Sequence, residues 1–312
     1  MKKIPIGISS CLLGENVRFD GGHKQDAYII GTLGEYFEFH PFCPEMGIGL
    51  GAPRPTLHLL KVDQVIHCVG IKNPDWDVTG PLRDYAERQK HLHADLCGYI
   101  LKKGSPSCGM ERVKVYSRTN QPCGKSAGIY AEEMMRRNPL LPVEEEGRLG
   151  DPSLRENFIQ RVYVLHRWKA LLAEGLTPSS LTRFHARHKL IIMSREDYRD
   201  LGQLLAGVTK TSVEQVANQY IAQLTATLKK PATRKNHVNV LQHIQGYLKK
   251  ELSSDDKTEL CEVIERYRNG YIPLIVPITL LKHHFRKSPD PYIEESYYMS
   301  PYPQELQLIN QL

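Results

Sequence analysis

The sequence predicts an α/β domain, a mostly parallel sheet with helices on both faces, followed by an all-α domain. Three observations lead there. Through residues 1–140, short apolar runs rich in β-branched and aromatic residues alternate with helix-period segments, the pattern of strand–helix–strand units. From residue 153 onward almost every segment has helical period instead. Between the two textures, residues 139–152 gather prolines, glycines and the acid run Glu144-Glu145-Glu146, which reads as a boundary and divides the chain into 1–146 and 147–312.

The elements follow in order. Residues 1–10 form the first strand, and the glycine-rich stretch from Cys11 to Gly22 reads as a surface loop over its end. A helix is expected over 25–35, a second strand over 36–42 and another over 65–69. Residues 81–96 read as a helix, with Asp77 or Thr79 near its start and Pro81 in its first turn. A buried strand over 97–101, a strand over 112–117 and a helix over 127–137 complete this half. In the second half, helices are expected over 153–173, 179–190, 195–206, 212–228, 233–250, 255–270 and 273–284, capped by residues such as Ser194, Thr211 or Ser212, and Ser253. The Pro- and Tyr-rich stretch 288–304 reads as extended.

Composition narrows the class. Of 312 residues, 41% are hydrophobic and 24% charged, ordinary for a globular protein. No run reaches the roughly 18 apolar residues of a membrane helix, so no membrane partner is expected. Met1-Lys2-Lys3-Ile4-Pro5 leads into a strand without an apolar signal region, which argues for a cytoplasmic protein. Seven cysteines without a C-x-x-C pair suggest metal binding or catalysis rather than a disulfide scaffold. The net charge of +6 is uneven. Residues 1–150 carry 19 Lys and Arg against 18 Asp and Glu, a net of +1; residues 151–312 carry 22 against 17, a net of +5. A basic second half points towards an anionic partner, nucleic acid first, although a solvated surface produces the same count.

The chemistry concentrates at three strand ends. Cys11, Cys43 and Cys108 each follow an apolar run in a Gly, Pro or Ser context, where free amide groups can hydrogen-bond anionic sulfur. Three thiolates are one short of the usual four of a 4Fe–4S cluster, which would leave one iron open. Small buried residues satisfy the same pattern, and spacing alone leaves both readings standing. Cys68, Cys97, Cys123 and Cys261 lack these contexts and read as packing. Glu45 lies close enough to Cys43 to move a proton beside a bound metal, while Ser105 and Ser107 offer hydroxyls to a substrate or to their own turn. The glycines between 47 and 55 lack the G-K-[ST] of a phosphate loop. His185 and His188 share a helix face without a third ligand and read as a packing or exposed pair.

Taken together, Cys11-Leu12-Leu13-Gly14, Val17-Arg18-Phe19-Asp20-Gly21, Phe42-Cys43-Pro44-Glu45 and Ser105-Pro106-Ser107-Cys108-Gly109 closely resemble the 2-thiouracil desulfidase family over residues 1–140. The resemblance implies a 4Fe–4S cluster on Cys11, Cys43 and Cys108, whose free iron is a Lewis acid towards the substrate's sulfur, with Glu45 and Ser105 as catalytic helpers. The second half, with Arg183-Phe184-His185-Ala186-Arg187-His188-Lys189 and the run from Tyr198 to Ala206, resembles the helical domain of two-domain tRNA 4-thiouridine desulfidases. It implies non-redox conversion of 4-thiouridine in tRNA to uridine with release of sulfide. Lys102, Lys103, Arg183, Arg187, Lys189 and Arg195 are then the expected phosphate contacts, with Lys229-Lys230 and Arg234-Lys235 as a further basic cluster. Two alternatives stand beside this reading: free thiobases or thionucleosides as substrates, and a non-catalytic RNA-binding or redox-sensing role.

Overall fold

Strand β1 (Ile4–Ser9) is the axis of the first sheet. Its apolar run lies between β2 (Phe37–Phe42) and β5 (Gly98–Leu101), and β8 (Val143–Glu145) extends the sheet beyond β5; every pairing is parallel. A strand covered on both faces needs a nearly continuous apolar sequence, and Ile4, Ile6, Ile8, Tyr99, Ile100 and Leu101 are all buried. A second sheet has the order β4 (Val65–Gly70), β3 (Leu57–Val62), β6 (Val113–Tyr116), β7 (Pro122–Ser126), antiparallel except for the β3–β6 pair. Here the period is two: Leu57, Leu59, Val113 and Val115 face a core shared with Leu82 and Ile129. Helices α1 (Ala27–Gly31), α2 (Pro44–Gly47), α3 (Thr79–Arg88), α4 (Lys90–Asp95) and α5 (Ile129–Arg137) complete this unit, Met1–Asp151.

The α/β class and its parallel-rich sheet agree with the sequence reading, while the details differ instructively. The strands divide into two sheets because β3 and β7 join residues 65–69 and 112–117 as a separate layer. The helix expected over 81–96 breaks at Gln89 into α3 and α4. The stretch 139–152 is not simply a linker: it contributes β8, and its acid run is buried or paired. Glu144 binds Arg148, Glu145 accepts from the Met110 amide and Glu146 pairs with Lys102.

The second unit, Pro152–Leu312, is helical: α6 (Pro152–Glu174), α7 (Pro178–Met193), α8 (Arg199–Leu205), α9 (Val213–Lys229), α10 (Arg234–Tyr247), α11 (Ser254–Arg268), α12 (Ile275–Lys287), α13 (Pro291–Glu295) and α14 (Gln304–Gln307). The chain thus divides after Asp151, where the sequence reading placed the division after Glu146. Buried positions on α9, namely Val213, Ala217, Tyr220, Ile221, Leu224 and Leu228, follow the spacing of one helix face. Side chains of Thr177, Thr233 and Ser253 cap α7, α10 and α11. Ser194 closes α7 rather than opening the next helix, and the expected extended tail contains α13. The computed structural model describes residues 2–195 and 199–307; Tyr198 of the second-half motif lies outside them. Among the described residues no helix is long and apolar enough to cross a membrane.

Candidate active site

The chain leaves β1 to one side to form β2 and returns to the other side of β1 as β5. Such a reversal opens a crevice at the carboxyl ends of parallel strands. The three cysteines sit at these ends. Cys11 lies in a 3-10 turn (Ser10–Leu13) directly after β1, closed by Gly14 in the left-handed region. Cys43 immediately follows β2 and precedes α2, whose first residue is Pro44. Cys108 ends the turn after β5.

That last turn is tied down from several sides. Ser105 Oγ accepts from the Ser107 and Cys108 amides at 3.3 and 3.1 Å, and the Gly109 amide closes the turn on Ser105 O at 2.8 Å. Gly128 approaches so closely that a Cβ there would lie 2.6 Å from the Ser107 carbonyl, so only glycine fits. The amides of Ile129 and Ala131, opening α5, donate to the Pro106 and Ser107 carbonyls. The thiol is thereby anchored to a helix start and a strand end together.

Cys11, Cys43 and Cys108 line one cavity of about 380 Å³, together with Glu45, Ser105, Ser107, Arg18, Arg54, Lys102 and Lys103. The structure therefore brings together every cluster and catalytic residue that the sequence singled out. Burial pushes the Cys11 thiol up to about 11, opposed by nearby Lys102, and burial raises Cys43 and Cys108 as well. Cys43 raises Cys11 further, and Cys43 and Cys11 both raise Cys108. Among the described residues, no three His, Cys, Asp or Glu side chains converge tightly enough for a single metal ion. The sulfurs frame the walls of a wider space.

Two partners of Glu45 escaped the sequence reading. Arg54, whose side chain is only 4% exposed, donates Nε to Glu45 Oε2 at 2.6 Å and Nη1 to the Gly51 carbonyl at 2.6 Å. Ser107 donates Oγ to Glu45 Oε1 at 2.5 Å and contacts Cys108 Sγ at 3.7 Å. Glu45 is thus held on both oxygens. Ser105, the serine implied by resemblance, meets Ser107 Oγ at 2.9 Å and otherwise serves its own turn. Arg54 lies in the loop 47–55, which lacks a phosphate-loop pattern, and lines the cavity.

The basic residues scatter. Lys102 and Lys103 lie at the cavity, although Lys102 is paired with Glu146. Arg183 and Lys189 are exposed on α7, whereas Arg187 stacks on Tyr297 at 4.5 Å and donates to the Glu295 carbonyl. Arg195 is buried, 4% exposed, and presents no surface charge. His188 is buried with Nδ1 on the Phe184 carbonyl, and His185 meets Tyr220, so the pair is structural. Cys68 and Cys97 are core residues as expected; Cys123 on β7 and Cys261 on α11 are exposed, which corrects their reading as packing.

Residues 6–146 match the family model described as 2-thiouracil desulfurase, and residues 189–303 match one described as a protein of unknown function, DUF1722. The uncharacterized protein YbgA of Escherichia coli (strain K12) is 32% identical over 151 residues, covering 47% of this chain and 89% of its own length. Among solved structures, the 4Fe–4S-dependent thiouracil desulfidase TudS is 31% identical, with 48% of this chain and 95% of that chain covered and a TM-score of 0.38. Every residue lining the cavity falls within the first matched segment. Through residues 6–146, the chain belongs to the 2-thiouracil desulfurase family.

Proposed function

We propose that this chain removes sulfur from thiolated uracil, with 4-thiouridine in tRNA as substrate and uridine and sulfide as products. The observation that supports it most is the convergence of three thiols and the Arg54–Glu45–Ser107 set on one cavity at the carboxyl edge of a parallel sheet. Cys11, Cys43 and Cys108 would hold a 4Fe–4S cluster. They fit it as three thiols around one cavity, Cys11 and Cys108 buried and Cys43 half-buried, soft donors whose raised pKa values a cationic group would reverse. Bound there, the cluster supplies Lewis acidity towards soft sulfur.

The remaining chemistry belongs to the protein. Hydrolysis replaces C4=S by C4=O: water adds to C4, gives up its protons, and the C–S bond breaks. Glu45 is the group suited to accept a proton from that water, its carboxylate held by Arg54 on Oε2 and by Ser107 on Oε1. Ser107 Oγ, between Glu45 and Cys108, can pass a proton towards departing sulfur and regain it from the carboxyl group. Phe19, an exposed ring lining the cavity, offers a stacking face for the pyrimidine; Arg18, Lys24 and Lys103 line the same cavity and suit flanking phosphates. A stacked base in tRNA must be extruded to reach such a crevice. The helical unit, with its net positive charge, would hold the RNA meanwhile. The reading places the reaction in the cytoplasm.

The test is incubation of anaerobically purified protein with bulk tRNA. Loss of 4-thiouridine matched by equal gains of uridine and sulfide is expected. Unchanged 4-thiouridine alongside turnover of free 2-thiouracil would move the substrate to free thiobases.

A further inference from the structure

A second cavity of the α/β unit, about 460 Å³, opens against the second sheet. Leu57, Leu59, Val113 and Val115 point into the core, so alternation turns His58, Leu60, Lys114 and Tyr116 to the opposite side. Lys125 of β7 lies directly across from Lys114 and shares that side. The cavity is lined by His58 and Tyr116, whose rings lie 5.4 Å apart, and by Arg112, Lys114 and Asn120. No Asp or Glu lines it, and none occurs in β3, β4, β6 or β7. Arg112 also reaches Glu111 at 3.3 Å. Lys114 and Lys125 are both exposed, and among the described residues no carboxylate pairs with either.

This cavity adjoins the one framed by the cysteines. Leu57, Gly104 and Pro106 line both, so the two meet at the turn that carries Cys108. A Cβ on Gly104 would meet nothing within 4 Å, so the turn leaves open space there. Rings beside exposed lysines, without carboxylates, suit an occupant that offers a base to stack and a phosphate to neutralise. Continuity with the catalytic cavity says where along the RNA that occupant lies. An extruded base leaves its chain neighbours at the mouth of the pocket that receives it.

We infer that the second sheet docks the RNA nucleotide next to the thiolated one, its base on Tyr116 and His58 and its phosphate on Lys114 and Lys125. The inference deepens the reading of thiolated RNA as substrate and rests on it for the choice of RNA. The α/β unit then grips the strand at the reacting base, while the helical unit would hold the rest of the RNA.

The test uses the full, iron-loaded chain with tRNA carrying 4-thiouridine and with free 2-thiouracil. Lys114→Glu combined with Lys125→Glu changes two exposed residues and is expected to fold as the parent does. Its kcat/KM on tRNA, taken relative to that on free 2-thiouracil, should fall by about tenfold, with a shallower salt dependence of RNA affinity. Tyr116→Ala should lower the same ratio by about tenfold, the scale of one stacked base, and Tyr116→Phe should restore it. A short RNA with 5-bromouridine beside a plain uridine, the product form, should cross-link to Tyr116 or His58 under ultraviolet light. An unchanged ratio in the lysine pair, or cross-links confined to other elements, would overturn the site and leave tRNA desulfuration standing. A Tyr116 cross-link without turnover of any thiolated substrate would keep the RNA face and overturn the desulfidase reading instead.

Discussion

The α/β unit buries thiols and a paired carboxylate around its cavity, whereas the helical unit buries a guanidinium and an imidazole around its own. The contrast teaches what each cavity lacks. Raised thiol pKa values around Cys11, Cys43 and Cys108 describe a place waiting for positive charge. Burial pushes Arg195 down to about 10, and its head group is held by the neutral oxygens of Ser194 and Gln160. One unit gathers thiols and a paired carboxylate and the other buries basic groups, which suits a division between chemistry and binding.

The largest effect expected on the α/β side is loss of the metal. Anaerobic protein should carry about four irons per chain, and Cys11→Ala, Cys43→Ala and Cys108→Ala should each lose them. Cys68→Ala and Cys261→Ala should retain the full content, since one is core and the other lies exposed on α11. Iron and sulfide analysis decides it; full iron in all the single variants would dissolve the contrast between the units.

Next in size is the ion pair that holds Glu45. Arg54→Met leaves Glu45 buried without its guanidinium, at a cost of about 3–5 kcal/mol. Arg54→Met combined with Glu45→Gln should recover much of that loss in urea unfolding. A single variant as stable as the parent would mean that Glu45 does not depend on Arg54.

Glu45→Ala should retain iron and lose turnover by about a hundredfold, the usual scale for acid–base catalysis. The two serines separate here. Ser107→Ala removes the hydroxyl on Glu45 and should reduce turnover, whereas Ser105→Ala removes the acceptor of two turn amides and should first reduce stability. Steady-state kinetics with parallel melting curves distinguish them, and the reverse pattern would restore Ser105 as the acting group.

Acid should act more gently, and chiefly on the helical side. Burial lowers His188 and His237 to about 3, His185 to about 4 and His166 as well in the helical unit, against His93, lowered to about 4, and His58 in the α/β unit. A depressed folded-state pKa means that the unfolded chain binds more protons between those values and about 6.5. Stability is therefore complete above about pH 6.5 and falls as pH drops through that window, by about 1–2 kcal/mol per histidine at pH 5. Trp168 fluorescence in a Trp76→Phe background reports the helical unit alone. A Tm unchanged from pH 7 to pH 5 would contradict the burial of these imidazoles.

What the sequence revealed follows the physics of each residue. Strand-end cysteines in Gly, Pro and Ser contexts were legible because local turn chemistry marks them. Arg54 was not, since it meets Glu45 only through the tertiary path of the loop between α2 and β3. Spacing could not choose between Ser105 and Ser107, which differ in what they face rather than where they lie. Glu144, Glu145 and Glu146 read as part of a domain boundary because acids are rarely buried, yet Arg148, the Met110 amide and Lys102 satisfy them inside the unit. Arg195 read as a surface charge for the same reason, and Cys123 and Cys261 read as core because free cysteines usually are.

The most direct test of the division between chemistry and binding compares the full chain with a chain ending at Asp151, on free 2-thiouracil and on thiolated tRNA at physiological salt. Both proteins are expected to contain the cluster and to desulfurise the free base at similar rates, while only the full chain acts on tRNA. Equal activity of the two on tRNA would contradict it.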